Sequence, residues 1–339
     1  MTLAPLPPRP ASTANPAPPR PAGSIRRTCS IDVCWPDGID GLRHFHGRVR
    51  DYLTPADGGK GRTLAEASLL AVIDDERQIR SITADPAPAR LHELVGQRGG
   101  GHLRGVTRDR MPELVEQAMP LYLALDDLSG TSLISNWALS LHDEGWLSAQ
   151  GEDTKTIRQE IIAGRVNVCW GFKPGHSSLD PESYTDRLSR ADGGELVNPV
   201  DPEGWHPLPA LPGISFRRAR RIDVTRDEAA GLLRIDSAFQ DSAPRPEGGR
   251  AALHEYRLAA TVDLATGTLA SIAPDPRVLP FPECPGVIPN SQRLVGKPLA
   301  EIRNLVLEHL RGPEGCTHLN DALRALADVP KLAEKLLPA

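Results

Sequence analysis

The sequence predicts an α+β fold of two homologous halves, each an antiparallel sheet with C-terminal helices, packed around a shared pocket. Three observations predict it. Segments of the first half return in order in the second at a near-constant spacing. Each half reads as β-prone runs joined by polar, hairpin-length turns. In each half those runs are followed by apolar residues at helical spacing.

The echo is a series. RRTCSIDV (residues 26–33) returns as RRARRIDV (217–224), a shift of 217 − 26 = 191. VIDDERQIRSITADP (72–86) returns as VDLATGTLASIAPDP (262–276), a shift of 262 − 72 = 190. LVG at 94–96 recurs at 294–296, LDDLSG (125–130) faces LEHLRG (307–312), and Asn136, Ala138 and Leu139 match Asn320, Ala322 and Leu323. An order-preserving series is the signature of internal duplication, here of units too long for a solenoid.

The chain therefore divides into a disordered Pro-rich arm (1–23), a first α+β repeat (24–142), an insert or lid (143–213), a second repeat (214–330) and a tail (331–339). Residues 26–35 and 47–54 read as strands, and 68–73 and 78–83 as a hairpin around DDER. Pro112 opens a helix to about Met119, where Pro120 breaks or kinks it, and 121–128 continues helical. The insert offers a helix over 154–163, a strand RVNVCWGF, then Pro- and Gly-rich loop. In the second repeat, RRARRIDVT and LLRIDSAFQD are strands, 257–262 and 268–273 a hairpin, and Leu299, Ile302, Leu305, Val306 and Leu310 a helix ended by Gly312-Pro313. The arm can order against the body or against a partner subunit of a homo-oligomer.

Composition bounds the function. The chain has 339 residues, 40% of them hydrophobic and 24% charged, enough for a substantial core. A net charge of −5 and 4% aromatics give no footprint for nucleic acid or an anionic membrane. No apolar run reaches the roughly 18 residues of a membrane span. Five cysteines without a C-x-x-C pair suit reduced thiols in a cytoplasm. No nucleotide, flavin or haem motif appears: QRGGGHLRG lacks the Lys-Ser or Lys-Thr of a phosphate loop, and there is no G-x-S-x-G elbow. No cofactor is expected.

Chemistry concentrates in a few stretches. GCTHLNDAL (315–323) reads two ways. Thr317 suits an N-cap. Cys316 before a helix N-terminus and His318 within its first turn suit catalysis. The matching positions of the first repeat are Ser132, Leu133 and Ile134, so the fold itself does not demand Cys and His there. In RHFHGRVRDY (43–52), alternation places His44, His46, Arg48, Arg50 and Tyr52 on one strand face. The arginines disfavour a metal and favour an oxyanion or phenolate pocket, with a plain solvent-facing strand as the other reading. His254 opens a strand and can pair with His318. A zinc site from His254, Cys284, Cys316 and His318 has permitted ligand types but no familiar spacing. On the insert, Trp170 and Phe172 read as packing or pocket lining, and Lys173 or Tyr184 as a proton donor on closure.

HEYRL from His254, CPGVIPNSQRLVGKPL from Cys284 and above all GCTHLNDAL from Gly315 resemble DUF2889, a bacterial family of unknown function. The resemblance extends through NVCWGF and the first repeat to most of residues 24–330. This chain reads His254-Glu255-Tyr256 where typical members read His-Asp-Met. The resemblance implies breakdown of aromatic compounds by cofactor-free carbon–carbon lysis. The expected function is a lyase for a small phenolic, lignin-type compound: a histidine deprotonates it, an arginine holds the anion, and a fragment such as an aldehyde is expelled. Catalytic candidates are His318, His254, His46 and Tyr52. Substrate-binding candidates are Arg48, Arg50, His44, Trp170, Lys173 and Cys316. A non-catalytic carrier of a hydrophobic molecule and a zinc hydrolase remain alternatives.

Overall fold

A computed structural model describes residues 13–142, 152–180, 191–211 and 213–336. Four strands come first: β1 (Ser24–Cys34), β2 (Arg43–Thr54), β3 (Arg62–Ile73) and β4 (Ile79–Asp85). Helices α1 (Gly101–Arg110), α2 (Pro112–Glu116), α3 (Pro120–Ile134) and α4 (Trp137–Leu141) follow. The insert carries α5 (Glu152–Ala163) and the two-residue β5 (Ala191–Asp192). Then come β6 (Ser215–Asp227), β7 (Leu232–Pro244), β8 (Arg250–Asp263) and β9 (Leu269–Val278), and finally α6 (Ile302–His309), α7 (Thr317–Ala325) and α8 (Val329–Glu334).

The strands make a single antiparallel sheet in the order β4-β3-β2-β1-β6-β7-β8, and both β9 and β5 pair with β8. Two four-stranded meanders thus meet edge to edge at β1–β6, where Ser24 faces Thr225 and Cys34 faces Ser215. Joining the edges removes two long rows of unpaired backbone groups from solvent.

Both faces of the central strands are buried. Burial runs unbroken over the first ten residues of β1 and of β6. On one face Cys29, Ile31 and Phe45 pack under α3, and Phe239 and Tyr256 belong to the same core as Leu319 and Leu323 of α7. The other face is covered by residues 191–211 and the arm, with Ala17, Leu196, Trp205 and Ala219 as a second small core. The described part of the arm is therefore ordered: Arg20 grips Asp201 at 2.7 Å, and the Ala17 amide donates to the Leu196 carbonyl.

Charged residues in these strands are buried because each meets its counter-ion. Arg27 faces Asp51 across β1–β2 with two contacts of 2.6 and 2.7 Å, and Arg218 faces Asp241 across β6–β7 at 2.7 and 2.8 Å. On the opposite face Arg26 holds Asp223 and Arg217 holds Asp32, both across the β1–β6 seam. Two-point guanidinium–carboxylate contacts offset the desolvation that an isolated buried charge would suffer.

Two local expectations are corrected. RVNVCWGF forms no strand. Gly164 to Val168 is a turn with Asn167 at φ 60°, and Trp170–Phe172 is a short 3-10 helix. The Asn167 amide donating to the Phe172 carbonyl closes that loop on itself. The helix opened by Pro112 ends at Glu116, short of Met119, with Ala118 at φ 47°; the break expected at Pro120 is present, with Pro120 at the first position of α3, where its missing N–H costs nothing.

Candidate acid–base centre

The site begins with a carboxylate. Asp241 is fully buried on β7, and both oxygens accept from Arg218. Arg218 in turn lies 3.4 Å from Asp321 of α7 and 3.9 Å from Asp127 of α3. Burial opposes ionisation of Asp241, but the Arg218 charge and hydrogen bonds outweigh it, and its carboxyl is held far below the usual range. Across the ladder, Asp241 pairs with His254 of β8, whose Nδ1 lies 3.0 Å from Asp241 Oδ2. An ionised carboxylate only accepts, so Nδ1 carries the proton and Nε2 keeps its lone pair.

α7 delivers the second imidazole. Its N-cap is Cys316, with φ −122° and ψ 127°, so the helix begins at Thr317 and not after it. This corrects the expected cap: Thr317 is exposed, and its hydroxyl reaches only the His318 ring at 3.3 Å. Gly315 is needed because the chain passes Leu310 closely: a Cβ there would lie 2.0 Å from the Leu310 carbonyl oxygen. That approach turns the chain so that His318 falls on His254. The two rings stack with centroids 3.4 Å apart and planes 20° from parallel, and His318 stacks on Phe239 at 6.4 Å. His254 is buried while His318 is partly exposed.

Both imidazoles are shifted towards the neutral form. For His254 burial is the main cause, and it outweighs the Asp241 hydrogen bond. His318 lies well below its ordinary value through desolvation and then through its neighbour His254. The pair is therefore a neutral, acceptor-bearing unit near pH 7.

Asp241, His254 and His318 bring their ligand atoms within 4.8 Å of one another, a spacing that a metal ion could bridge. It does not fit. Asp241 already accepts three hydrogen bonds, the buried Arg218 cation touches it, and its bond to His254 occupies Nδ1 of that ring. The zinc set of His254, Cys284, Cys316 and His318 fails too: Cys316 turns to Tyr256, whose hydroxyl donates to its sulfur at 3.7 Å.

Residues 216–331 match DUF2889, described as a protein of unknown function. The match covers β6 to α8 and so the whole Arg218–Asp241–His254–His318 arrangement. No curated protein and no solved structure matches the chain.

The candidates on β2 lie on the far side of the sheet. His44, His46, Arg48 and Arg50 face Cys34, Asp32, Ser30 and Thr28 of β1, the face turned away from α3 and α7. They do not meet His254 and His318. Tyr52 is clamped between Arg20, 4.1 Å above its ring, and Glu203, which accepts from its hydroxyl at 3.1 Å. Arg50 donates to the Glu203 carbonyl, and Arg48 lies 3.5 Å from Asp32. These contacts fasten residues 201–206 to the sheet.

The insert packs on the DUF2889 segment. Lys173 lies 3.8 Å over the Trp170 ring, whose indole N–H donates to the Glu283 carbonyl. The Trp170 amide donates to the Gly315 carbonyl, so the insert braces the turn that sets His318. Tyr184 lies outside the described residues.

Three contributors escaped the sequence reading. Arg218 carries no motif, although Arg217 to Arg221 is an unusually basic run inside a strand pattern, and Asp321 lies inside GCTHLNDAL, where Cys316, Thr317 and His318 drew the attention. His206 sits between Thr28 Oγ1 and Ser30 Oγ at 2.8 Å each, and burial drives it down to about 3. Nothing local in "GWHPLP" announces that position.

Proposed function

We propose that the chain is a cofactor-independent lyase acting on a small phenolic compound, with His318 as the group that meets substrate. The observation that carries this reading is the arrangement of three side chains: a buried ionised Asp241, a tautomer-fixed His254 3.0 Å away, and a partly exposed His318 stacked on it. Positioned imidazoles of this kind move protons. In the proposed step His318 takes the proton of a side-chain hydroxyl. The adjacent carbon–carbon bond breaks, its electron pair moves into the conjugated aromatic fragment, and the hydroxyl-bearing carbon leaves as an aldehyde. The imidazolium returns its proton to the aromatic fragment. Arg48 and Arg50 take no part, since they lie behind the sheet.

We further infer that the two meanders are copies of one unit, with the chemistry kept in the second. Arg27–Asp51 and Arg218–Asp241 occupy positions 191 and 190 residues apart (218 − 27 and 241 − 51). Opposite Asp51 stands Ala65, and opposite Asp241 stands His254.

The test is a panel of phenolic compounds bearing side-chain hydroxyls, incubated without added cofactor and followed by absorbance and aldehyde release. Turnover by the wild type with a hundredfold or greater loss in His318→Ala, at unchanged melting temperature, supports the reading. Binding without turnover makes the centre a carrier site, and full turnover in His318→Ala removes it from the mechanism.

A further inference from the structure

A second site lies at the other end of the sheet. A groove of about 790 Å³ opens between the end of β2, the start of β3 and the residues after α8. This is within the size range of small-molecule pockets. Leu53, Leu64 and Leu336 give it apolar walls, Arg62 stands exposed on its rim, and Lys335 lies on it.

Lys335 is the visible end of a buried charge cluster. Its Nζ lies 3.1 Å from Asp51 Oδ2. Asp51 is held by Arg27, Arg27 also holds Asp328, and Asp328 is paired with Arg303. Three cations thus share two carboxylates. Arg27, Asp51 and Asp328 have fully buried side chains and Arg303 is 16% exposed, whereas Lys335 is 35% exposed. Lys335 is therefore the cation of this cluster that reaches the groove. An ammonium has three donors, and Asp51 uses one. The nearby carboxylate of Glu334 is itself paired with Lys331 at 2.8 Å.

We propose that this groove binds a monocarboxylate with an apolar body, the carboxylate on Lys335 and Arg62 and the body between the leucines. A charge-assisted contact at a fixed ammonium, next to apolar wall, selects that chemistry over a neutral alcohol or a cation. Ala65 contributes: it faces Asp51 where His254 faces Asp241, and the small side chain leaves the carboxylate to Lys335.

Octanoate titrated calorimetrically into the full chain tests it, with octanol as the neutral control. Saturable one-to-one binding of octanoate is expected, with octanol at least tenfold weaker. Lys335→Met should weaken octanoate at least tenfold and Lys335→Arg should retain it. Leu64→Trp, which fills the groove without touching the charge cluster, should also abolish binding and covers the case in which Lys335→Met fails to fold. No saturable binding, equal affinity for octanol, or binding that survives both Lys335→Met and Leu64→Trp but is lost in His318→Ala would overturn the proposal.

Discussion

His254 and His318 lie ring on ring, 3.4 Å between centroids, although 64 residues separate them in the chain (318 − 254). Two imidazolium ions cannot coexist at that distance in a buried setting, so the pair carries at most one positive charge. Asp241 fixes which nitrogen of His254 carries hydrogen, and His318 is the member that reaches the surface.

The coupling is measurable by NMR titration of the imidazoles. Replacing His254 by Asn removes the neighbouring imidazole that lowers His318 and should raise the His318 midpoint, leaving it below the ordinary value because desolvation remains. An unchanged or lower midpoint would show that the rings do not sense each other.

Breaking the Arg218–Asp241 pair from one side should be severe. Arg218→Ala leaves Asp241 buried and ionised against His254 alone, and should cost about 3–5 kcal/mol in urea unfolding. Arg218→Leu with Asp241→Leu should cost less than the sum of the single changes, because no orphaned charge remains. Additive costs would mean that the pair is not coupled.

Stability should decline on acidification earlier than the carboxylates alone would dictate. Asp241 has a depressed folded value, so its contribution is present above about pH 4 and is lost only as pH falls through that lower value. His206 behaves differently: its folded value of about 3 lies below the unfolded one of about 6.5, so its contribution is full above pH 6.5 and is lost between there and pH 3. His254 is lowered in the same sense. Between pH 6 and 4 His206 contributes a slope of up to about 1.4 kcal/mol per pH unit. Denaturation series at several pH values should show His206→Asn with a shallower slope than wild type. Equal slopes would place a proton on His206 in the folded state.

Gly315 and Thr317 should respond oppositely to the same substitution. Gly315→Ala drives a Cβ into the Leu310 carbonyl and the Asn320 amide, and should cost about 3 kcal/mol. Thr317→Ala removes an exposed hydroxyl that caps nothing and should change stability by less than about 0.5 kcal/mol. Thermal melts of the two variants decide this, and a large loss in Thr317→Ala would restore it as the helix cap.

The α+β class, the strand segments of both meanders and the helices near 112, 121, 154 and 299 were legible in the chain, because period-2 and period-3.6 apolar patterns are local properties. The spacing of 190 to 191 residues is likewise read from the chain alone, and it underlies the proposal that the two meanders are copies of one unit. His254 and His318 could be nominated from residue type and from the DUF2889 likeness, but their stacking is set by where α7 lands on β8. The helix start at Thr317 was misplaced by one residue, since the decisive constraint is the clearance between Gly315 and Leu310, set by the fold around α6 and α7. Strand alternation correctly put His44, His46, Arg48 and Arg50 on one face. Which face the helices cover depends on how two meanders join at β1–β6, and that is a long-range choice with no local signal. The same holds for Arg218, Asp241 and Asp321. Each is an ordinary surface residue in sequence, and becomes the foundation of the site only because three distant segments bury their charges together, where an unpaired charge would be intolerable.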